Sequence, residues 1–205
     1  MQLNIHQLGK RFNRDWIFRN FSYSFKSGNT YAITGPNGSG KSTLLQVLWG
    51  QSPPSTGSLE FLDSSGRVID IQEIYKHISI AAPYIELPES LNLKEIVDFH
   101  FSIKNAIKGY SADDLMDLME LSQAKNKFIY QFSSGMKQRL KLGLALFADT
   151  ELIFLDEPGT NLDKKALAWY KNAFDENFKN RLCFIASNEQ DDFPAVYEEI
   201  SMQNL

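Results

Sequence analysis

Apolar and polar residues alternate in the first part of the chain, as they do in strands with one buried face. Aromatic residues alternate with serines over residues 21–25, and a turn at residues 26–29 leads into a short apolar strand at residues 31–33. A glycine-rich loop follows, and a helix begins near Ser42 and ends before Gly50. The first fifty residues are therefore predicted to run strand, glycine loop, helix.

The middle and last thirds of the chain carry different periodicities. Strand-like pieces are predicted at residues 59–61, 68–71 and 78–81. After Pro88, apolar residues recur at three- and four-residue spacing, which predicts an inserted helical segment with helices at 93–107, 112–121 and 136–147. Strands return at 152–155 and 182–186 with a helix at 164–178 between them, and this alternation predicts a parallel sheet.

Composition and charge limit the class of protein. The 205 residues, 43% of them hydrophobic, fit one globular domain, and the lone Cys183 excludes an internal disulfide and is expected to be a buried small hydrophobe. No apolar run approaches 18 residues and the N-terminus does not look like a signal peptide, so we expect a cytoplasmic protein that reaches a membrane only through a partner. The net charge of −4 argues against direct nucleic acid binding.

The glycine-rich loop has the pattern of a phosphate-binding loop, with two glycines four residues apart and then Lys41 and Ser42. Glycines allow backbone N–H groups to turn toward phosphate oxygens, and the following helix directs the positive end of its dipole to the same point. Lys41 adds a cation for the phosphates and Ser42 a hydroxyl ligand for Mg²⁺. The predicted nucleotide-binding residues of this loop are Gly35, Pro36, Asn37, Gly38, Ser39, Gly40, Lys41, Ser42 and Thr43.

Three further segments make the chain resemble the ATP-binding cassette (ABC) family. FSSGMKQRL at residues 132–140 looks like the signature of that family, LIFLDEP at 152–158 like its Walker B strand, and residues 159–163 like its D-loop. The resemblance covers essentially the whole chain. It implies an α/β P-loop NTPase core with a mostly parallel sheet and an N-terminal antiparallel β subdomain, in residues 1–81 and 148–205. It also implies an inserted α-helical subdomain in residues 82–147.

The resemblance implies roles for individual residues. Asp156 and Ser42 would hold Mg²⁺, Glu157 would be the general base, and Lys41 would be a catalytic cation on the β- and γ-phosphate oxygens. In the family, two cassettes pair head to tail around two ATP molecules. Ser133, Ser134, Gly135 and Asp163 would therefore face the nucleotide held by a second ABC ATPase subunit, identical or different.

Two catalytic features of the family are absent. No glutamine occurs between Gln72 and Gln123, so the family's glutamine after the strand at 78–81 is missing. The family's histidine after the last core strand is replaced by Asn188, which donates a hydrogen bond but carries no charge. We expect ATP binding to survive and hydrolysis to be slower by roughly 10²–10³-fold. The three histidines, His6, His77 and His100, are assigned to no site.

Two assignments remain open between alternatives. Phe12 falls where the family places an aromatic ring against adenine, but packing under the N-terminal strands is an equally good interpretation. The segment from Ala82 to Leu93 would face an integral membrane transporter subunit through Tyr84, Ile85, Leu87 and Leu91, or these side chains only pack the helices.

The function predicted is that of a cytoplasmic ATPase subunit, peripheral on the membrane through a spanning partner. One alternative is an ATP-gated regulatory module with little hydrolysis, favoured by Asn188 and the missing glutamine. Another is a soluble ABC protein that acts on ribosomes or DNA, which the acidic charge disfavours.

Overall fold

The secondary structure consists of nine strands and five α-helices joined by turns and short 3₁₀ segments in a computed structural model that describes residues 1–205. The strands are β1 Gln2–Phe12, β2 Asp15–Lys26, β3 Thr30–Thr34, β4 Thr56–Leu62, β5 Val68–Ile69, β6 Ile78–Ala81, β7 Leu152–Asp156, β8 Leu182–Ala186 and β9 Glu198–Ser201. The helices are α1 Lys41–Leu48, α2 Leu93–Ile103, α3 Ala112–Leu118, α4 Ser134–Leu146 and α5 Lys164–Asn177.

The strands form two separate sheets. An antiparallel sheet has the order β2-β1-β4-β5, and a parallel sheet has the order β6-β7-β8-β3-β9. The strands β3, β7 and β8 are short apolar runs with almost no exposed residue, because a parallel sheet is covered on both faces. The α/β class with an N-terminal antiparallel sheet, predicted from the sequence, is confirmed.

The hydrophobic core has two parts that meet across the parallel sheet. One face of that sheet packs against α1 and the antiparallel sheet, through rings such as Phe25, Phe154 and Phe184. The other face packs against α4, α5 and the helices between β6 and β7, with Ile153 and Leu155 at the centre. Since parallel strands all end at one edge, this packing brings the loops after β3, β7 and β8 together.

The structure corrects several predicted boundaries. The helix predicted at 93–107 ends at Ile103, because Lys104 and Ala106 are extended and Ala106 forms a bridge with Ala148. The helix predicted at 112–121 ends at Leu118. Strand β9 was not predicted, since it is an edge strand with exposed acidic residues and carries no apolar run. No helix is both long enough and apolar enough to cross a membrane.

His100 is a titratable group packed inside the helical region. Its ring meets Phe101 edge-on at 4.9 Å, and its Nε2 atom is buried without a hydrogen-bond partner. Burial and, to a smaller extent, the charge of Lys104 lower the pKa of His100 to about 4, although the backbone of Leu144 opposes both effects. The folded protein therefore keeps this imidazole neutral at pH values where an unfolded chain protonates it.

We predict that His100 makes the free energy of unfolding decrease as the pH is lowered. As the pH drops from about 6.5 toward 4, the unfolded chain binds a proton at His100 that the folded chain excludes, so the free energy of unfolding decreases by roughly 2 kcal/mol. The difference in unfolding free energy between wild type and His100→Leu, measured by urea denaturation across this range, should show the effect. His6→Gln, at an exposed position, is the control, and a pH-independent difference would contradict the prediction.

Candidate functional site

The loop between β3 and α1 folds into a turn that only glycines accommodate. Gly35, Gly38 and Gly40 all have positive φ, of 145°, 79° and 98°. A Cβ atom on Gly40 would lie 2.1 Å from Cγ2 of Ile17 on β2, so the antiparallel sheet closes directly over the loop. The side chain of Ser39 is buried in this loop and its Oγ has no hydrogen-bond partner. The loop thus presents a tightly backed concave backbone at the N-terminus of α1.

Lys41 turns its ammonium group back into this loop. Only 5% of the residue is exposed. Its Nζ donates to the carbonyl oxygens of Gly35 at 2.8 Å and Pro36 at 3.3 Å, and to Oδ1 of Asn188 at 2.7 Å. No carboxylate forms an ion pair with Lys41, so its charge is available to an anion that enters the loop.

Asp156, the last residue of β7, provides a buried carboxylate beside the loop. It is 1% exposed, and neither of its oxygens accepts a hydrogen bond of ordinary geometry. Burial raises the pKa of Asp156, whereas the nearby hydroxyls of Ser42 and Tyr84 and the charge of Lys41 lower it. A buried carboxylate without partners next to a serine hydroxyl fits a hard divalent cation such as Mg²⁺, which prefers oxygen ligands.

Glu157 lies immediately after this strand in a strained conformation. Its φ of 45° is in the left-handed region, which costs a non-glycine residue about 1–3 kcal/mol. The strain is held by bonds on both sides, since its N–H donates to Ala186 at 2.7 Å and Thr160 donates to its Oε2 at 3.3 Å. The strained turn directs the carboxylate into an open cleft of about 300 Å³ instead of into the sheet.

Asn188 joins the loop after β8 to the phosphate-loop region. Its Oδ1 accepts from Lys41, and its Nδ2 donates to Oδ1 of Asn37. Asn37, Glu157 and Asn188 line the same 300 Å³ cleft. The structure therefore brings together Lys41, Asp156, Glu157 and Asn188, which the sequence predicted to act together, although their roles stay predictions.

The signature residues lie elsewhere on the surface, at the start of α4. Ser133 caps this helix by accepting from the N–H of Met136 at 3.2 Å, and Asp163 caps α5 by accepting from Ala166 at 2.8 Å. A Cβ on Gly135 would lie 2.9 Å from the carbonyl oxygen of Asn161, so the two helix starts are in close contact. Together with Ser134 they line a separate cavity of about 510 Å³.

Two side chains of α4 connect this helix to the site, and sequence analysis missed both. Gln138 is 4% exposed and donates to the carbonyl of Pro158 at 2.9 Å. Lys141 donates to the carbonyls of Ala82 and Pro83 at 3.2 and 3.0 Å. These bonds fix α4 to the turns that follow β7 and β6. The sequence could have indicated both residues, because they fall on the inward face of the helix that starts with the signature.

Tyr84 is a third residue that the sequence did not assign to the site. Ala81 pairs with Leu155, so the turn after β6 runs beside Asp156. The hydroxyl of Tyr84 lies near Asp156 and Gln46, and burial together with the negative charge of Asp156 raises its pKa. Of the apolar surface predicted here, Tyr84 is 41% exposed, whereas Leu87 and Leu91 pack against the core.

Phe12 does not have the buried position that packing under the N-terminal strands requires. It is 52% exposed, at the end of β1, with the Lys10 ammonium 5.1 Å from its ring centroid. Trp16, on the neighbouring strand, is 39% exposed and carries Arg11 at 5.5 Å. Because the next residue, Ile17, contacts Gly40, both rings belong to the part of the β sheet nearest the phosphate loop. Cys183 is fully buried, as predicted.

Comparisons with known proteins identify close similarity to one family. A profile of the ABC transporter family matches residues 18–160. The uncharacterized ABC transporter ATP-binding protein YybJ of Bacillus subtilis is 28% identical over 93% of this chain and 87% of its own length. The cholesterol transporter ABCA5 of Homo sapiens is 27% identical over 88% of this chain, which spans only 11% of that protein. The sulfate/thiosulfate import ATP-binding protein cysA of Cucumis sativus is 25% identical over the whole chain, which spans 60% of it.

Solved structures share the fold. A Pyrococcus furiosus protein assigned as an ABC transporter ATP-binding protein matches with a TM-score of 0.81 at 19% identity, over 100% of this chain and 98% of that one. The ATP-binding subunit of an ABC transporter matches with a TM-score of 0.78 at 22% identity, over 92% of this chain and 80% of that one.

We predict that Gly40→Ala weakens Mg·ATP binding by more than about 10-fold. The new methyl group meets Ile17 at 2.1 Å while the residue must keep a positive φ, so the loop has to shift. Isothermal titration calorimetry of the purified variants measures the loss.

Two matched variants separate the clash from the backbone strain. Gly38→Ala has the same kind of positive φ but open space around its Cβ, so its loss should be smaller. Ile17→Ala combined with Gly40→Ala should recover part of the affinity. Equal losses in Gly38→Ala and Gly40→Ala, with no recovery in the double variant, would contradict the prediction.

Proposed function

The chain belongs to the ABC transporter family, and we propose that it is the ATP-binding and ATP-hydrolysing subunit that powers a membrane transporter. Members of this family bind and hydrolyse ATP. The observation that carries the proposal is the convergence of Lys41, Asp156, Glu157 and Asn188 at one edge of the parallel sheet. Two of the relatives named above are a cholesterol transporter and a sulfate/thiosulfate import ATP-binding protein by name, so no single substrate is transferred to this chain.

The phosphates of ATP bind in the loop of residues 35–43. Backbone N–H groups at the start of α1 and the ammonium of Lys41 hold the β- and γ-phosphate oxygens. Ser42 and Asp156 would hold Mg²⁺, and the ion would neutralise negative charge on the phosphates. The exposed ring of Phe12 stacks on adenine, an arrangement worth about 1–3 kcal/mol per base.

Hydrolysis uses the cleft lined by Glu157 and Asn188. The Glu157 carboxylate accepts a proton from the attacking water, and the Nδ2 amide of Asn188 donates a hydrogen bond to the γ-phosphate. An amide does not supply the positive charge of a histidine. We therefore expect turnover roughly 10²–10³-fold below that of a site with a full set of charged donors.

A second ABC ATPase subunit completes each site. The helix start at Ser133, Ser134 and Gly135 lies on a different cavity from Glu157, so one chain does not close both around the same nucleotide. In the head-to-tail pair, the N-terminus of α4 meets the γ-phosphate bound by the partner. Asp163 lies beside this contact and caps α5. The partner is a copy of this chain or another ABC ATPase.

The membrane partner contacts the junction of two subdomains, which we place at residues 1–81 with 148–205 and at residues 82–147. A cleft of about 650 Å³ within residues 82–147 is lined by charged side chains of both signs. One of them, Lys141 of α4, bonds to the turn after β6 that contains Tyr84, and Tyr84 lies near Asp156. A partner that displaces the cleft would therefore displace α4 and the surroundings of Asp156 together. We propose that the chain lies on the cytoplasmic face of a membrane, bound through a spanning subunit.

The test is Mg·ATP hydrolysis by the purified chain and its Glu157→Gln variant. We predict slow but measurable turnover in wild type and none in Glu157→Gln, because an amide does not accept the water proton. We also predict that the Glu157→Gln variant dimerises when ATP is added, so that light scattering gives the mass of two 23.4 kDa chains instead of one. Asn188→His should raise kcat, since a protonated imidazole supplies a positive charge that the amide lacks.

Four outcomes separate the candidate functions. Turnover that depends on Glu157 supports the transporter ATPase. ATP binding and pairing without turnover supports the regulatory module instead. A chain that neither binds ATP nor forms a pair would contradict the proposal. Copurification with ribosomes instead of a membrane protein would favour the soluble alternative.

A further inference from the structure

Asp192 is a buried acid close to the cleft, and the chemistry described above does not use it. It is 3% exposed and lies in the short 3₁₀ turn Gln190–Asp192 that follows β8. No lysine, arginine or histidine forms an ion pair with it. Burying a carboxylate without a cation destabilises the fold unless hydrogen bonds compensate it, so the partners of Asp192 indicate its role.

The carboxylate of Asp192 bonds to the loop that contains Asn188. Ser187 Oγ donates to its Oδ2 at 2.5 Å, and the same Oγ accepts from the N–H of Glu189 at 3.0 Å. The Asp192 N–H donates to the carbonyl of Glu189 at 3.1 Å. Asn188 lies between Ser187 and Glu189, so these bonds fix the backbone on both sides of it.

The same carboxylate covers the turn that contains Glu157. Oδ1 of Asp192 lies only 2.0 Å from the position that a Cβ on Gly159 would occupy. Burial raises the pKa of Asp192, while the Ser187 hydroxyl and the nearby Gly159 amide oppose this rise. Gly159 has no positive φ, so the close carboxylate and not the backbone conformation requires glycine here. Thr160, the next residue, bonds back to Glu157 through its N–H at 3.1 Å and its hydroxyl.

Asp192 is itself held in place from below. Its carbonyl oxygen accepts from the hydroxyl of Tyr170 at 2.9 Å, and Tyr170 is a fully buried residue of α5. The two oxygens of one rigidly held side chain therefore reach two turns, one after β7 and one after β8. Glu157, Gly159, Ser187, Asn188 and Asp192 all line the same 300 Å³ cleft.

We propose that Asp192 is a positioning residue that holds the Glu157 turn and the Asn188 turn at a fixed separation. This inference rests on the proposed function, since it gives both turns a part in ATP hydrolysis. Asp192 acts on Glu157 and Asn188 indirectly, through its contacts with Gly159 and Ser187. A small displacement of a catalytic group lowers its effect by about 10²-fold, which is the scale expected on loss of Asp192.

The experiment compares wild type with Asp192→Asn, Asp192→Ala and the matched control Asp191→Ala in the full chain. Asp191 is the exposed neighbour that pairs with Lys171 on the surface. We expect Asp192→Ala to lower kcat about 10²-fold while the Kd for Mg·ATP changes less than about 3-fold. Asp192→Asn, which keeps the shape and one acceptor, should lie between wild type and Asp192→Ala. Asp191→Ala should match wild type.

A second readout does not depend on hydrolysis. Hydrogen exchange followed by mass spectrometry should show faster exchange in residues 157–163 and 187–189 of Asp192→Ala, with the β3 and α1 region unchanged. If wild type hydrolyses no ATP, the proposed function fails and the exchange pattern still decides the role of Asp192. Unchanged exchange in both turns, or faster exchange across the whole chain, would overturn the inference.

A double-mutant cycle tests the contact itself. Gly159→Ala places a methyl group on the Asp192 carboxylate, so we expect it to lower kcat about as much as Asp192→Ala does. Combining the two changes should add little, because both remove the same contact. Additive losses would overturn the inference.

Discussion

The buried ammonium of Lys41 is the charge around which this site is built. It is bonded to two carbonyls of the phosphate loop and to the amide of Asn188, without a carboxylate partner. A cation with so little exposure is costly to bury unless its donors are satisfied, and the loops after β3 and β8 close on it for this reason. The arrangement that lets the chain fold around Lys41 is also one that attracts a triphosphate.

The acids of the site complement this cation at different depths. Asp156 lies at the bottom without hydrogen-bond partners, Glu157 is strained toward the cleft, and Asp192 lies behind both turns. Strain and unpaired buried groups destabilise a fold, so they persist only where surrounding contacts determine the position. Here the parallel pairing of β7 with β8 supplies those contacts. Stability of the sheet and precision of the site therefore depend on the same strands.

The phosphate loop and the parallel strands could be predicted because each depends on local residues. Glycines at fixed spacing before Lys41 define the loop, and continuous apolar runs define β7 and β8. Contacts set by register between distant segments could not be predicted. Tyr84 lies beside Asp156 only because β6 pairs with β7, and Asp192 covers Gly159 only because of how the turn after β8 folds.

The most direct test of this account is calorimetric titration of Mg·ATP into wild type, Lys41→Ala and the exposed control Lys179→Ala. We predict one ATP per chain for wild type and Lys179→Ala. Lys41→Ala should bind at least about 10-fold more weakly, since charge-assisted bonds to the phosphates are lost. Absence of binding by wild type at millimolar ATP, or equal affinity in Lys41→Ala, would contradict the account.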